Sequence, residues 1–225
     1  MQADFFELLQ INDAAFPIGS YTLSWGLETF VQQGLIFDAE SAESFLKSEI
    51  SLNFLTNELL PARLSWEAAS SGNWEKVREI DEIYNSCKNA REIREGSKKL
   101  ALRFLKTVSL WEKSGENEEN PLLKAEIRHF SVFYGAYCAV KGISEDESLS
   151  AFFYSQISSR IVTAVKLVPL SQNDGQMILH SLFKDFENLL EKVMDFSEKD
   201  LCRSCPASEI RAMQHEFLYT RLYMS

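Results

Sequence analysis

The sequence predicts an all-α fold, a compact multi-helix bundle in a single domain that spans residues 1–225. Apolar residues recur at helical spacing along almost the whole chain, and no stretch shows the sustained alternation of a β-strand. Four cysteines are too few for a disulfide scaffold at this length. A hydrophobic core must therefore stabilise the fold, and 45% hydrophobic residues can form one.

The first predicted helices have recognisable ends. An apolar stretch, residues 16–30, leads into a helix that Gly34 closes, because glycine suits the left-handed residue after a helix. Asp38 caps the next helix, which Pro61 ends or kinks. Asn73 begins another helix after a glycine break.

The later helices are predicted in the same way. A helix over about residues 89–113 ends in a polar, acidic loop, which gives the best internal boundary, a weak waist near residues 115–120. Ser144 and Glu147 have the spacing of a capping box before a wide apolar stripe. That helix stops near Pro169, since the residue before a proline avoids the α conformation.

Composition excludes several classes of function. With 33 acidic and 23 basic side chains the net charge is −10, which disfavours binding to nucleic acid or to anionic lipid. The longest run without Asp, Glu, Lys or Arg has fourteen residues, 14–27, whereas a membrane span needs roughly 20 apolar residues. The opening "MQADFFELLQ" is acidic where a signal peptide is basic, so we expect a cytoplasmic protein.

Motifs for catalysis are incomplete. "GSKK" lacks the upstream glycine of a phosphate loop, and "LSWG" around Ser24 lacks the first glycine of a nucleophile elbow. "HEFLY" begins like a zinc-protease helix at His215, but Tyr219 stands at the second ligand position. The sequence therefore does not predict an enzyme.

The pair "CRSC", Cys202 and Cys205, is the strongest candidate for a metal or redox site. Two thiolates at this spacing can hold one tetrahedral ion, and His215 is the nearest further ligand in sequence. Because one pair is half a site, ordinary partly buried thiols are the favoured interpretation.

Polar residues in apolar surroundings are the remaining candidates. Arg160, Lys166, Gln172 and Gln176 bracket the corner "VKLVPLSQNDGQ", and Arg221 lies among apolar residues near the end of the sequence. In the default interpretation Arg221 pairs with an acid and Lys166 extends into water. In the functional interpretation these groups are held for another protein.

The C-terminal tail, residues 206–225, is predicted to be a helix capped by Ser208. It ends in tyrosines and a methionine, which are unfavourable to leave in water, so docking on a partner would supply the missing burial.

Three stretches carry a family resemblance: "FPIGSYTLSWGLETF", "VKLVPLSQNDGQ" and "MQHEFLYTRLYMS". In this order along the chain, they closely resemble the UreF family of urease accessory proteins. Between about residues 65 and 119 the resemblance rests on helical character and "REIREGSKKL".

The resemblance implies an all-helical chaperone without enzymatic activity. It implies a homodimer that binds the accessory protein UreH/UreD and helps to recruit the nickel-carrying GTPase UreG. The assembly delivers nickel to apo-urease and gates the GTP-dependent transfer. This chain would bind no cofactor tightly, because nickel is handled by the assembled complex.

The resemblance also assigns site residues. The tail docks the partner, Tyr21 and Glu28 support the surface on which the tail lies, and Lys166 faces the GTPase. The expected partner-binding residues are Tyr21, Glu28, Lys166, Gln172, Gln176, Tyr219, Arg221, Leu222 and Ser225.

Two alternatives remain open. Without the resemblance, the residues alone indicate a generic helical scaffold or adaptor outside nickel metabolism. A thiol-dependent metal-binding module is the third hypothesis, and metal uptake by the isolated protein tests it.

Overall fold

Helices connected by short loops make up the protein over residues 2–112 and 121–225, the part that this computed structural model describes. No β-strand occurs in these ranges, and the predicted all-α fold is confirmed. The predicted waist near residues 115–120 lies outside the described residues. The α-helices are α1 (Gln2–Asn12), α2 (Leu27–Gln32), α3 (Ala39–Glu49), α4 (Leu60–Ser70), α5 (Trp74–Cys87), α6 (Arg91–Glu112), α7 (Pro121–Lys124), α8 (Phe130–Val140), α9 (Glu145–Leu167), α10 (Gln172–Met194) and α11 (Pro206–His215).

Side-chain caps begin several helices where the sequence predicts them. The Asp38 carboxylate accepts a hydrogen bond from the Ser41 amide at 2.8 Å before α3. The Ser144 hydroxyl accepts one from the Glu147 amide at 3.3 Å before α9. Asn73 caps α5 in the same way. These helix starts are set locally, by residues three positions apart.

Helices α3 and α4 belong to one longer helix, because Ile50–Leu59 between them winds as a π-helix. The sequence predicts that Pro61 ends or kinks this helix, but the chain continues through it in the first turn of α4. The widened π turns end two residues before the proline. Pro61, which has no backbone N–H to donate, therefore lies just after the change from π-helical to α-helical winding.

The centre of the bundle is the contact between α4 and α8, the most extensive contact between described elements. Aromatic rings pack around it. The ring of Phe104 on α6 lies 5.7 Å from that of Phe133 and 5.2 Å from that of Tyr137, measured between centroids. The ring of Tyr134 lies 4.7 Å from that of Phe152 on α9. These contacts join α6, α8 and α9 in one hydrophobic cluster.

Gly135 allows α8 to approach α4 closely, and we expect Gly135→Ala to destabilise the protein by about 3 kcal/mol. A Cβ at this position would lie 2.0 Å from the Ala62 carbonyl oxygen, so one helix would have to move. The free energy of unfolding in urea measures the effect.

Gly96→Ala in α6 is the matched control. A Cβ there would meet the nearest Leu23 carbons at 3.4 Å, an ordinary contact. We therefore expect no loss of stability, and a gain of up to about 1 kcal/mol from helix propensity. Equal losses from both substitutions would contradict the close approach of α4 and α8.

His129, at the start of α8, is completely buried. Its Nδ1 lies 3.2 Å from the Ser97 hydroxyl and its Nε2 lies 3.2 Å from the Asn85 side-chain oxygen. Burial, followed by nearby cations such as Lys88, lowers the pKa of His129 from 6.5 to about 3. The folded protein therefore keeps this ring neutral.

This buried ring makes stability depend on pH. Below about pH 6.5 the unfolded chain binds a proton at His129, whereas the folded chain does not. The free energy of unfolding therefore falls as the pH falls. One such group contributes a slope of up to about 1.4 kcal/mol per pH unit. We expect His129→Gln to flatten the dependence between about pH 6 and pH 5. Equal slopes in the wild type and in His129→Gln would contradict a ring that stays neutral in the folded protein.

Candidate functional site

The apolar stretch at residues 16–30 forms a turn, a short 3₁₀ helix (Ser20–Thr22) and α2. Gly19 has φ 79° and Gly26 has φ 85°, left-handed conformations that favour glycine. A Cβ at Gly26 would also lie 3.2 Å from the Ala212 amide nitrogen of α11. The two glycines thus fold the stretch back on itself and let it approach the end of the chain.

The terminal segment, defined as residues 216–225, lies against this stretch. The predicted terminal helix ends at His215, and the prediction that it continues further is wrong. The Met224 amide donates to the Thr22 carbonyl at 2.8 Å, and the Ser24 amide donates to the Ser225 main-chain oxygen at 2.6 Å. The Ser24 hydroxyl donates to the same Ser225 oxygen. These backbone groups are thus hydrogen-bonded to residues far away in the sequence and not to the preceding turn of a helix.

The Glu28 carboxylate holds the terminal segment. Its side chain is buried, with an exposed fraction of 1%. One oxygen accepts from the Leu222 amide at 2.8 Å, and the other accepts from the Tyr223 amide at 3.1 Å. His215 Nε2 lies 3.0 Å from the second oxygen. Because a buried carboxylate is unfavourable without donors, these three contacts explain why it is tolerated here.

A second carboxylate, Glu92 of α6, completes the network. One of its oxygens lies 2.6 Å from His215 Nδ1, and the other accepts from Arg221 Nη1 at 2.8 Å. His215 is therefore buried between two carboxylates, with one ring nitrogen facing each of them. The network links α2, α6, α11 and the terminal segment.

Backbone hydrogen bonds and the Arg221–Glu92 ion pair hold the terminal segment, which leaves apolar side chains in solvent. Tyr219 is fully exposed, and Leu222 has an exposed fraction of 80%. Tyr21 of the adjoining 3₁₀ helix is also exposed. A group of large apolar side chains presented on an ordered backbone is typical of a protein-binding surface. Its members are Tyr21, Phe217, Tyr219, Leu222 and Met224.

The structure thus brings together six of the residues predicted for partner binding: Tyr21, Glu28, Tyr219, Arg221, Leu222 and Ser225. Their positions differ. Glu28 and Ser225 are buried, Arg221 is paired with Glu92, and the other three are exposed. Their roles toward a partner stay predictions.

The other predicted residues lie at the corner between α9 and α10. Lys166, Gln172 and Gln176 are all exposed. The corner is close-packed, since a Cβ on Gly175 would lie 2.6 Å from a Val165 methyl group. Helix α9 also lies near the terminal segment, because it contacts the 3₁₀ helix Ser20–Thr22, whose Thr22 carbonyl accepts from the Met224 amide. The roles assigned to these three residues also stay predictions.

Sequence reasoning missed the most connected residues of the network. Glu92 lies in "REIREGSKKL" and Ser24 in "LSWG", but neither stretch predicts a contact with the terminal segment, and the sequence suggests only a metal-ligand role for His215. Their partners lie far away in the sequence, as with Glu92 and Arg221, which are 129 positions apart. No local spacing signals such a contact.

The cysteines do not pair as "CRSC" suggests. Cys202 packs against the hydrophobic core, whereas the Cys205 sulfur lies 3.5 Å from the Ser208 hydroxyl. Burial raises the pKa of Cys202 to about 12, so without a bound metal ion the group is a neutral thiol at ordinary pH. Among the described residues, no group of three or more His, Cys, Asp or Glu side chains is arranged around a metal position.

A buried ion pair lies inside the bundle, next to Cys87. Lys88 Nζ lies 2.8 Å from a Glu58 oxygen and 4.3 Å from the centroid of the Tyr84 ring. The Ser131 hydroxyl donates to the other Glu58 oxygen. Burial raises the pKa of Glu58, but Lys88 and Arg160 outweigh it and hold the pKa below its ordinary value.

No helix in the described ranges combines the length and apolar character needed to cross a bilayer. The family model described as UreF matches residues 36–183. The chain is 36% identical to the urease accessory protein UreF of Haemophilus influenzae strain PittEE over 225 residues, 99% of this chain and 96% of the relative. It is 35% identical to UreF of Actinobacillus pleuropneumoniae serotype 5b, with 97% of each chain covered. It is 28% identical to UreF of Streptococcus salivarius, with 99% and 95% covered.

Proposed function

Because the chain belongs to the UreF family, we propose that it acts in the maturation of urease. It is an accessory protein rather than an enzyme. In this proposal it bridges the accessory protein UreH/UreD and the GTPase UreG in the complex that delivers nickel to apo-urease. Nickel is cargo of that complex and not a resident cofactor of this chain. The proposal also includes a homodimer and a cytoplasmic location.

The observation that carries the proposal is the ordered terminal segment. Glu28 fixes the backbone at Leu222 and Tyr223 by accepting hydrogen bonds from their amides. The fully exposed Tyr219 and the exposed Leu222 are therefore free to fill pockets of a partner. Aromatic and leucine side chains on a rigid backbone bind with a small loss of conformational entropy. We assign this surface to UreH/UreD.

A second face suits the GTPase. Lys166, Gln172 and Gln176 are exposed at the corner of α9 and α10, and α9 contacts the 3₁₀ helix Ser20–Thr22, which is hydrogen-bonded to the terminal segment. Binding at the terminal segment can therefore be transmitted to this corner through one rigid helix. We propose that the corner contacts UreG and gates GTP-dependent transfer.

Assembly in solution tests this function. The full chain and a version truncated after Glu216 are mixed with UreH/UreD and then with UreG, and complexes are measured by size exclusion with light scattering. We expect the full chain to form both complexes and the truncated chain to form neither. If the folded full chain binds neither partner, the maturation role is wrong and the generic helical adaptor becomes the better hypothesis.

A further inference from the structure

Helix α6 differs in charge from the rest of the molecule. It carries six basic and three acidic side chains, although the whole chain has a net charge of −10. The basic side chains cover most of its length, from Arg91 to Lys106. Such a local reversal attracts anionic groups toward one face of an otherwise acidic protein.

A cleft lies between this helix, the Gly19 turn and the terminal segment, with a volume of about 530 Å³. Arg91, Lys99 and Arg103 line it from α6, and Arg221 and Met224 line it from the terminal segment. The side chains of Leu23, Leu100 and Tyr223 form an apolar part of its wall. The cleft therefore combines cations with apolar surface.

Two of the four cations already have carboxylate partners. Arg91 pairs with Glu216 at 2.7 Å, and Arg221 pairs with Glu92 at 2.8 Å. Lys99 is exposed and has no partner among the described residues. Arg103 is exposed, and its Nη1 donates to the Ile18 carbonyl at 3.2 Å without meeting a carboxylate in the same ranges. Lys99 and Arg103 are therefore available to a ligand.

The turn at Gly19 keeps Arg103 in place. A Cβ on Gly19 would lie 2.1 Å from Arg103 Nη1, so the guanidinium rests directly on the glycine. With one N–H group bonded to Ile18, the remaining donors of the planar fork can hold a carboxylate through two parallel hydrogen bonds. Lys99, four residues earlier on the same helix, lies on the same face and adds a second positive charge.

We propose that this cleft binds an acidic segment of a protein partner, with carboxylates on Lys99 and Arg103 and an apolar side chain against Leu100 and Met224. A peptide fits better than a polyphosphate, because Glu92 and Glu95 also line the cleft and would repel a dense negative charge. The apolar wall likewise favours a peptide with mixed side chains. The inference rests on the proposed function only in assigning the partner to urease maturation.

Fluorescence anisotropy with a labelled peptide that alternates glutamate and leucine tests the inference. We expect the peptide to bind the full chain, to bind less tightly as salt rises, and to lose about tenfold or more in affinity with Lys99→Ala/Arg103→Ala. The matched control is Lys184→Ala/Lys192→Ala, two exposed lysines of α10, which should leave the affinity unchanged. Thermal melting confirms that both double variants are folded.

Four results would overturn the inference: no binding of this peptide, unchanged affinity in Lys99→Ala/Arg103→Ala, equal binding of a lysine–leucine peptide, or stronger competition by inorganic triphosphate than by an unlabelled copy of the peptide. The same preparations are also run in the assembly assay with UreH/UreD and UreG. If the wild-type full chain does not bind the peptide but does assemble with UreH/UreD and UreG, the acidic-segment site alone is ruled out. Peptide binding that depends on Lys99 and Arg103, together with failed assembly of the full chain, supports this site and removes the maturation role.

Discussion

Replacing Glu28 by alanine is expected to release the terminal segment from the body of the protein. The substitution removes the acceptors for the Leu222 and Tyr223 amides and for His215. Hydrogen bonds to a charged group contribute about 1.5–3 kcal/mol each, so a combined loss of about 3 kcal/mol is a conservative value. Amide hydrogen exchange over residues 216–225 should then accelerate about a hundredfold. Exchange measured by NMR resolves the two amides.

Two variants control this experiment. Glu28→Gln keeps one acceptor oxygen and should give an intermediate acceleration. Glu40→Ala removes an exposed carboxylate of α3 and should leave the terminal segment protected. Unchanged exchange at Leu222 and Tyr223 in Glu28→Ala would show that Glu28 does not hold the segment.

Lys88→Met is expected to cause the largest loss of stability, about 3–5 kcal/mol. It leaves the Glu58 carboxylate buried without its cation, although the Ser131 hydroxyl and the more distant Arg160 remain. In the wild type the pKa of Glu58 is lowered. The pair therefore stabilises the protein fully at pH values above the ordinary carboxylate pKa, and this stabilisation is lost as the pH falls. Urea unfolding at neutral and acidic pH measures the loss.

The pH dependence separates a lost charge pair from lost packing. Without Lys88, burial should raise the pKa of Glu58. Protonation of Glu58 at lower pH should then reduce the difference in unfolding free energy between the variant and the wild type. The double variant Glu58→Gln/Lys88→Met removes both charges and keeps an acceptor for Ser131. It should recover much of the stability. A loss that is the same in single and double variants at every pH would contradict the buried ion pair.

Helices were predictable where their signals are local. Asp38 and Ser144 cap helices because each bonds to an amide three residues later, and this spacing is visible in the sequence. The π-helical stretch Ile50–Leu59 was not predictable, since apolar spacing does not distinguish its winding from an α-helix. Pro61 was therefore expected to interrupt a helix that passes through it.

The candidate site was predictable only in part. Its exposed apolar residues, Tyr219 and Leu222, were expected from the unfavourable exposure of the tail and from the family resemblance. The backbone conformation that presents them depends on Glu28, which is 194 and 195 positions away from its two amide donors. Likewise, the Cys202 amide donates to the Thr56 carbonyl at 3.1 Å, a contact that the spacing of "CRSC" does not predict. Contacts of this range follow from the packing of whole helices.

The affinity for UreH/UreD tests most directly whether the exposed side chains of the terminal segment are the partner-binding surface. The variant Tyr219→Ala/Leu222→Ala removes two exposed side chains that make no hydrogen bond to any residue in the described ranges, so its melting temperature should equal that of the wild type. Leu110→Ala, an exposed leucine of α6, is the matched control. We predict at least about tenfold weaker binding for the double variant and unchanged binding for the control. Wild-type affinity in the double variant would contradict the account.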